Sequence, residues 1–323
     1  MKIPRAQARG IFAFVLVLGL VASVLLSGYA VPRVIKRFTP KVAATGLEVP
    51  PSTLQIYDAD LKAALAIRLL PASEKARLAS VTNRTKIYRD GCHGNQKTTI
   101  PAAPCIFGDV RATRALWLIG DSHAAQWFIP LNYLAKKHHY QLVVRTMSSC
   151  PVLTGVPVLD DPKANYWQCK AHNQWLLQQI GSRKPAFVVV SGYSGIEVKN
   201  LAATKAGLSA LAGLGSKILV IGDTPKPKGS APDCLAAHLA DVRPCYASRT
   251  ANQAARVRSS LADLSRKYGF NWVDPSMWLC VDQKCPPVIA KRLVYADNTH
   301  LSTETQHYLV GRIEAAFAGE LEK

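Results

Sequence analysis

From residue 115 onward, short apolar runs alternate with longer amphipathic stretches. The runs at 115–120, 140–146, 186–191 and 217–223 are dominated by Leu, Val and Ile, and a shorter one follows at 271–274. A strand with one wet face alternates apolar and polar positions, so near-continuous apolar runs predict strands buried on both faces. The stretches 124–137, 165–180, 195–214, 250–268 and 302–317 predict helices, and Thr303 with Gln306 predicts a capping box at the start of the last. Strands that alternate with helices predict parallel pairing through crossover helices, hence a three-layer α/β/α domain. Upstream, 58–80 is rich in Ala and Leu and predicts helix interrupted at Pro71, whereas 84–109 has no period and reads as loop. The loops at 147–167 and 224–246 are long and carry Pro and Cys. Both follow strands, so both fall on the rim where such sheets place their sites.

The N-terminus changes the picture. Lys2, Arg5 and Arg9 precede an uncharged run over 11–31. A secretory core needs about 7–15 apolar residues and a spanning helix roughly 17–25, so the run predicts a single membrane anchor. Cleavage after Ala30, in the small-x-small Gly28-Tyr29-Ala30, is the alternative. Arg33, Lys36, Arg37 and Lys41 balance the charge on the far side, so charge does not set the orientation. The cysteines do. All eight lie beyond the run: Cys92, Cys105, Cys150, Cys169, Cys234, Cys245, Cys280 and Cys285. They lack the paired C-x-x-C spacing of a zinc ribbon. Taken as sequential neighbours, 92–105, 150–169, 234–245 and 280–285, they close four short loops, one choice among on the order of a hundred connectivities. Disulfides persist outside the cytosol. The organisation expected is therefore a cytosolic tail and anchor at 1–31, a linker and helical lead-in at 32–83, and an extracytoplasmic globular domain at 84–323. This is a single-pass protein of the cell membrane, or a secreted one if the run is removed. The 323 residues carry 40 Lys+Arg against 21 Asp+Glu, a formal charge of +19. Such a chain is drawn to polyanions. Export and cysteines argue against nucleic acid and leave anionic lipid or wall polymer. No motif calls for a metal or a cofactor.

Candidate chemistry begins where the first strand ends, at Gly120-Asp121-Ser122. Asp and Ser are favoured N-caps, so the tripeptide alone describes a helix start. A serine there also lies on the sheet rim, beside unpaired N–H groups and the positive end of a helix dipole. It becomes a nucleophile only with a base. His138, His139, His172, His238 and His307 fall in helices or at their ends, or in a cysteine-rich loop, and read as packing or surface residues. His300 differs, because Asp297 lies three positions earlier in a turn before the last helix. Residues so spaced are neighbours, so the carboxylate can hold one ring nitrogen and leave the other free.

Gly120-Asp121-Ser122-His123-Ala124 together with Asp297-Asn298-Thr299-His300 resembles the SGNH/GDSL hydrolase superfamily. Within it, the chain looks like the SGNH domain attached to acyltransferase-3 membrane proteins, the O-acyltransferases of cell-envelope polysaccharides. Ser149-Cys150-Pro151 and Ile221-Gly222-Asp223-Thr224-Pro225 add to the resemblance. It implies a flavodoxin-like parallel sheet, an acyl-enzyme on Ser122, His300 as base and Asp297 as its orienting partner, with no cofactor. It implies an envelope polysaccharide or glycolipid as acceptor. With one apolar segment in this chain, it also implies a separate membrane acyltransferase as acyl donor. The activity implied is that of a serine-dependent O-acyltransferase (an acetyltransferase) or a carboxylic-ester hydrolase. A catalytically silent envelope-binding or assembly subunit with the same fold is the alternative. The superfamily's oxyanion hole adds a Gly and an Asn from two loops to the nucleophile's own N–H. Here those loops offer Ser149 on one side and Gly192 with Tyr193 on the other. Trp127, Tyr166 and Trp167 are aromatic candidates for lining a sugar or acyl pocket, or for core packing.

Overall fold

The computed structural model describes residues 54–100, 104–152, 166–250 and 252–321. Its core follows from the apolar runs. The strands are β1 (His93–Gly94), β2 (Ile106–Gly108), β3 (Ala115–Gly120), β4 (Gln141–Met147), β5 (Phe187–Ser191), β6 (Lys217–Ile221), β7 (Ala247–Ser248), β8 (Asn271–Val273), β9 (Lys284–Cys285), β10 (Val288–Ile289) and β11 (Arg292–Leu293). The main sheet runs β1-β4-β3-β5-β6-β8, all parallel, and β2 joins the outer edge of β4 antiparallel. Two small antiparallel ladders, β7 with β9 and β10 with β11, lie apart from it. The five parallel strands β4-β3-β5-β6-β8 have the flavodoxin-like order, whose path reverses between β3 and β5.

Side chains alternate across each strand, and both sets are buried. Leu116, Leu118, Leu142, Val144, Val189 and Ile221 face one layer, which holds the helices Phe128–Lys137 and Val310–Leu321. Trp117, Ile119, Val143, Val188, Val190 and Val220 face the other, which holds Trp167–Arg183, Leu201–Ala212 and Asn252–Tyr268. The three layers expected from the sequence are therefore present. The helix Leu54–Ala64 joins the first layer, where Tyr57 and Leu61 are buried, and the Gly311 N–H donates to the Tyr57 hydroxyl at 3.2 Å.

Several boundaries differ from the sequence expectation. The stretch 124–137 is two helices, Ser122–Ala125 and Phe128–Lys137, and 195–214 divides into Ser194–Glu197 and Leu201–Ala212. The stretch 302–317 divides at Leu309 into Thr303–Tyr308 and Val310–Leu321. The cap of the last pair is Ser302, whose Oγ accepts from Thr305 N at 3.1 Å, one residue ahead of the predicted box. The segment read as loop over 84–109 carries the turn Lys86–Arg89, β1 and β2. Among the described residues no helix is long and apolar enough to cross a membrane, and the run at 11–31 lies outside them.

The four cystines join sequential neighbours: Cys92–Cys105, Cys150–Cys169, Cys234–Cys245 and Cys280–Cys285. Cys150–Cys169 ties the loop after β4 to the helix Trp167–Arg183, where Asn173 Nδ2 also donates to the Pro151 carbonyl at 3.0 Å. The pair spans 19 residues. Replacing both cysteines by Ala is expected to lower the unfolding free energy by about 3 kcal/mol, because the unfolded chain regains the closed loop's entropy. A urea titration with an unchanged midpoint would contradict that assignment of stability.

Candidate active site

The site forms where β3 stops. Gly120 has φ 127°, a backbone open to glycine and strained for other residues. The chain then turns into the helix Ser122–Ala125, and Asp121 caps it, its Oδ1 accepting from His123 N at 2.8 Å. Asp121 also reaches across to the loop after β5, where Oδ2 accepts from Tyr193 N at 2.8 Å. This buried carboxylate thus fixes the serine turn against the neighbouring strand end. Burial pushes its carboxyl up, against the opposing pull of His123 and of the two N–H donors.

The structure brings the three residues singled out in the sequence together. The Ser122 hydroxyl donates to His300 Nε2 at 2.8 Å, across 178 residues of chain. His300 Nδ1–H donates to Asp297 Oδ2 at 2.8 Å, while Asp297 Oδ1 accepts from the N–H groups of Thr299 and His300, each at 2.8 Å. The loop is held by a Tyr295–Leu301 bridge and by Leu301 N, which donates to Gln126 Oε1 at 3.0 Å. Gln126 directly follows the helix that Ser122 begins, so the His300 loop is tied to the serine turn. Partial burial alone would raise the Asp297 carboxyl. The His300 ring and the two backbone donors outweigh it and hold the group well below the usual carboxylate range. An ionised Asp297 favours the proton on Nδ1 and leaves the Nε2 lone pair for the serine.

The other candidates are placed differently. Ser149 sits at the turn after β4 with φ 54°. Gly192 is buried, and a Cβ there would lie 2.9 Å from Pro151 Cβ and 2.8 Å from Glu197 Oε1, so a larger residue would have to displace its neighbours. The Tyr193 N–H is spent on Asp121 and is not free for a substrate; its hydroxyl accepts from Lys226 Nζ at 2.8 Å. Trp127 is wholly buried with Nε1–H donating to Ser191 Oγ at 3.3 Å, which makes it core. Tyr166 is buried and donates to the Ser148 carbonyl at 2.7 Å, while Trp167 is 55% exposed.

Four further groups surround the triad. His123 Nδ1 lies 2.6 Å from Asp223 Oδ1, both nearly inaccessible, and Asp223 follows β6 on the same rim. Burial lowers His123 but Asp223 outweighs it and the net direction is up; burial raises Asp223 but His123 and Ser194 outweigh it and the net direction is down. Both shifts favour the ionic form of the pair. His93 of β1 binds Thr146 Oγ1 at 2.9 Å and Ser148 Oγ at 3.0 Å, and burial with nearby positive charge pushes it down to about 3, so it stays neutral. Glu197 is buried, and that burial with the neighbouring Asp121 and Asp223 pushes its carboxyl up to about 8. The unfolded chain would release that proton near about pH 4.3. Stability contributed by the neutral form is therefore lost as pH rises from there toward about 8. Glu197→Gln, a neutral isostere, is expected to match the wild type's melting temperature at pH 5 and exceed it at pH 8. Parallel melting curves across that range would refute the assignment.

The sequence signal for Asp223 was its place after a strand; nothing in the spacing paired it with His123. Among the described residues, Cys234, His238 and Cys245 approach metal-ligand geometry, but the two sulfurs are joined in a disulfide.

No curated protein matches the chain. Among solved structures, the periplasmic domain of a lipopolysaccharide acetyltransferase from Salmonella ser. Paratyphi A superposes with a TM-score of 0.51 at 14% identity, covering 85% of this chain and 98% of that one. TesA gives 0.41 at 14% identity over 64% and 99% of the two chains. A GDSL-like lipase from Bacteroides thetaiotaomicron VPI-5482 gives 0.38 at 12% identity over 77% and 96%. The first of these shares the fold. The model of the SGNH domain fused to AT3 domains matches residues 91–315, more than half of the sequence, and the chain therefore belongs to that SGNH family.

Proposed function

We propose that the domain is a serine O-acyltransferase or acyl-esterase that works outside the cytosol on envelope glycans or glycolipids. One observation carries the reading: the unbroken line from Ser122 Oγ through His300 to Asp297 at the C-terminal rim of the sheet. The chemistry follows from it. Ser122 Oγ attacks an acyl carbonyl carbon while its proton passes to His300 Nε2, and the carbonyl π pair moves onto oxygen. Collapse of that oxyanion expels the donor's oxygen, which takes the proton from His300. An acceptor hydroxyl then repeats the sequence in reverse and frees Ser122. A sugar hydroxyl gives transfer and water gives hydrolysis, from one acyl-enzyme.

The four disulfides suit an oxidising compartment outside the cytosol. The charge of +19 suits an anionic wall polymer or membrane surface. The Salmonella relative is described as a lipopolysaccharide acetyltransferase, which favours an acetyl group and a sugar acceptor. The run at 11–31 would anchor the domain beside a membrane acyltransferase that supplies the acyl group. The test is treatment of the full chain, in detergent, with a fluorophosphonate and with 4-nitrophenyl acetate. Wild type is expected to label once per chain and to release nitrophenol in a burst as the acyl-enzyme forms. A glycan acceptor that speeds the later phase identifies transfer. Wild type that stays unlabelled, or that labels no faster than Ser122→Ala, sinks the reading.

A further inference from the structure

A tetrahedral acyl intermediate places a full negative charge on the former carbonyl oxygen, and one donor seldom suffices; removing a single donor typically costs ~10²–10³ in rate. The Ser122 N–H is one donor. The loop after β5, Ser191-Gly192-Tyr193-Ser194, has no side-chain amide to supply another. Two of its N–H groups are also engaged: Tyr193 N–H goes to Asp121, and both the N–H and the Oγ of Ser194 go to Asp223 Oδ2, at 2.9 and 2.7 Å.

The ring of His123 occupies this corner. It stacks on Tyr193 with centroids 4.7 Å apart, and its centroid also lies 4.7 Å from that of the His300 ring. Its side chain is only 3% exposed. Nδ1 is taken by Asp223 Oδ1, and that oxygen is in turn fixed by Thr224 N at 2.8 Å. Among the described residues nothing is hydrogen-bonded to Nε2. We propose that His123 is the second donor of the oxyanion hole, through Nε2–H, and that Asp223 is its positioning residue.

The donor role requires an imidazolium, since a neutral ring would keep its one proton on Nδ1 toward Asp223. The groups that face the ring favour that charge: Asp223, Asp121 and Asp297 are acids, Glu197 is neutral at pH 7, and His300 is the one facing base. His123 moves no proton in the reaction. The serine proton goes to His300, the π pair to oxygen, and His123 lends a charged hydrogen bond to that oxygen. This accounts for a buried ion pair beside the nucleophile that the triad itself does not use.

The inference rests on the acyl-transfer reading, and one experiment separates the two. The full chain and its variants His123→Ala, His123→Gln and Asp223→Asn are compared in fluorophosphonate labelling rate, whose phosphoryl oxygen sits where the oxyanion would, and in kcat and KM for 4-nitrophenyl acetate. His123→Ala is expected to lose ~10²–10³ in kcat with KM within about threefold, and labelling is expected to slow in parallel. Asp223→Asn is expected to fall with His123→Gln instead, because an amide that donates to Nδ1 leaves the neutral ring's proton on Nε2 and removes only the charge. His123→Gln keeps an N–H donor without the charge, and recovery to within about tenfold of wild type is expected, which a purely structural histidine would not give. Wild type that labels alongside an equally reactive His123→Ala overturns the inference and leaves the acyl-transfer reading standing. Equal losses in the Ala and Gln variants overturn it too. Wild type that does not label at all removes the acyl-transfer reading and this inference with it.

Discussion

Ester turnover by the Ser122→Ala chain is expected to fall at least ~10⁴-fold below wild type, and His300→Ala by a similar factor, because the attacking oxygen and the group that takes its proton act as one unit. For the same reason the double variant is expected to be no worse than either single one. Additive losses would mean that the two residues serve separate steps, against the 2.8 Å bond between them. Asp297→Asn is expected to cost less, ~10²-fold, because its side chain is 40% exposed and water replaces part of what a buried carboxylate would supply. Asp297 is held well below the usual carboxylate range, so it stays ionised through mild acid. The acid limb of the rate profile should therefore be unchanged in shape when glutamate replaces it.

What the sequence made legible has a common cause. β3, β5 and β6 are buried on both faces, so their apolar runs are continuous and their ends are sharp. A sharp end at Gly120 places Ser122 on the rim, and the short spacing of Asp297 and His300 encodes their contact locally. Features that depend on tertiary partners did not show. The apolar period runs on through Gln126 and Leu309, so the helix breaks there carry no pattern of their own. β1 and β2 are too short to have a period; they exist because both lean on the edge of β4, with Cys92–Cys105 joining them. The His123–Asp223 pair spans 100 residues, and only the return of β6 beside β5 brings Asp223 under the ring. Tyr193 was a reasonable donor by position, yet the Asp121 cap claims its N–H.

Gly120→Ala is the other change expected to have a large effect, and a second glycine supplies its control. Gly120 and Gly215 both have positive φ, at 127° and 83°, so alanine at either strains the backbone. At Gly215 nothing lies within 4 Å of the added Cβ, and the cost should be about 1 kcal/mol. At Gly120 the Cβ would fall 1.9 Å from the Ser191 carbonyl oxygen and 2.9 Å from Ala124 Cβ. The first neighbour is backbone of the adjacent strand and cannot rotate away, so β3 and β5 must separate at the site. Backbone strain of ~1–3 kcal/mol then adds to overpacking of similar size, and a loss of stability above ~3 kcal/mol is expected. The separation would also pull Tyr193 N from Asp121 and tilt the serine turn, so any protein that still folds should have lost most of its turnover. Equal urea midpoints for the two alanine variants would mean that φ alone accounts for the glycine. A larger loss at residue 120 would show instead that the serine turn needs glycine because the chain passes within contact of its neighbour there.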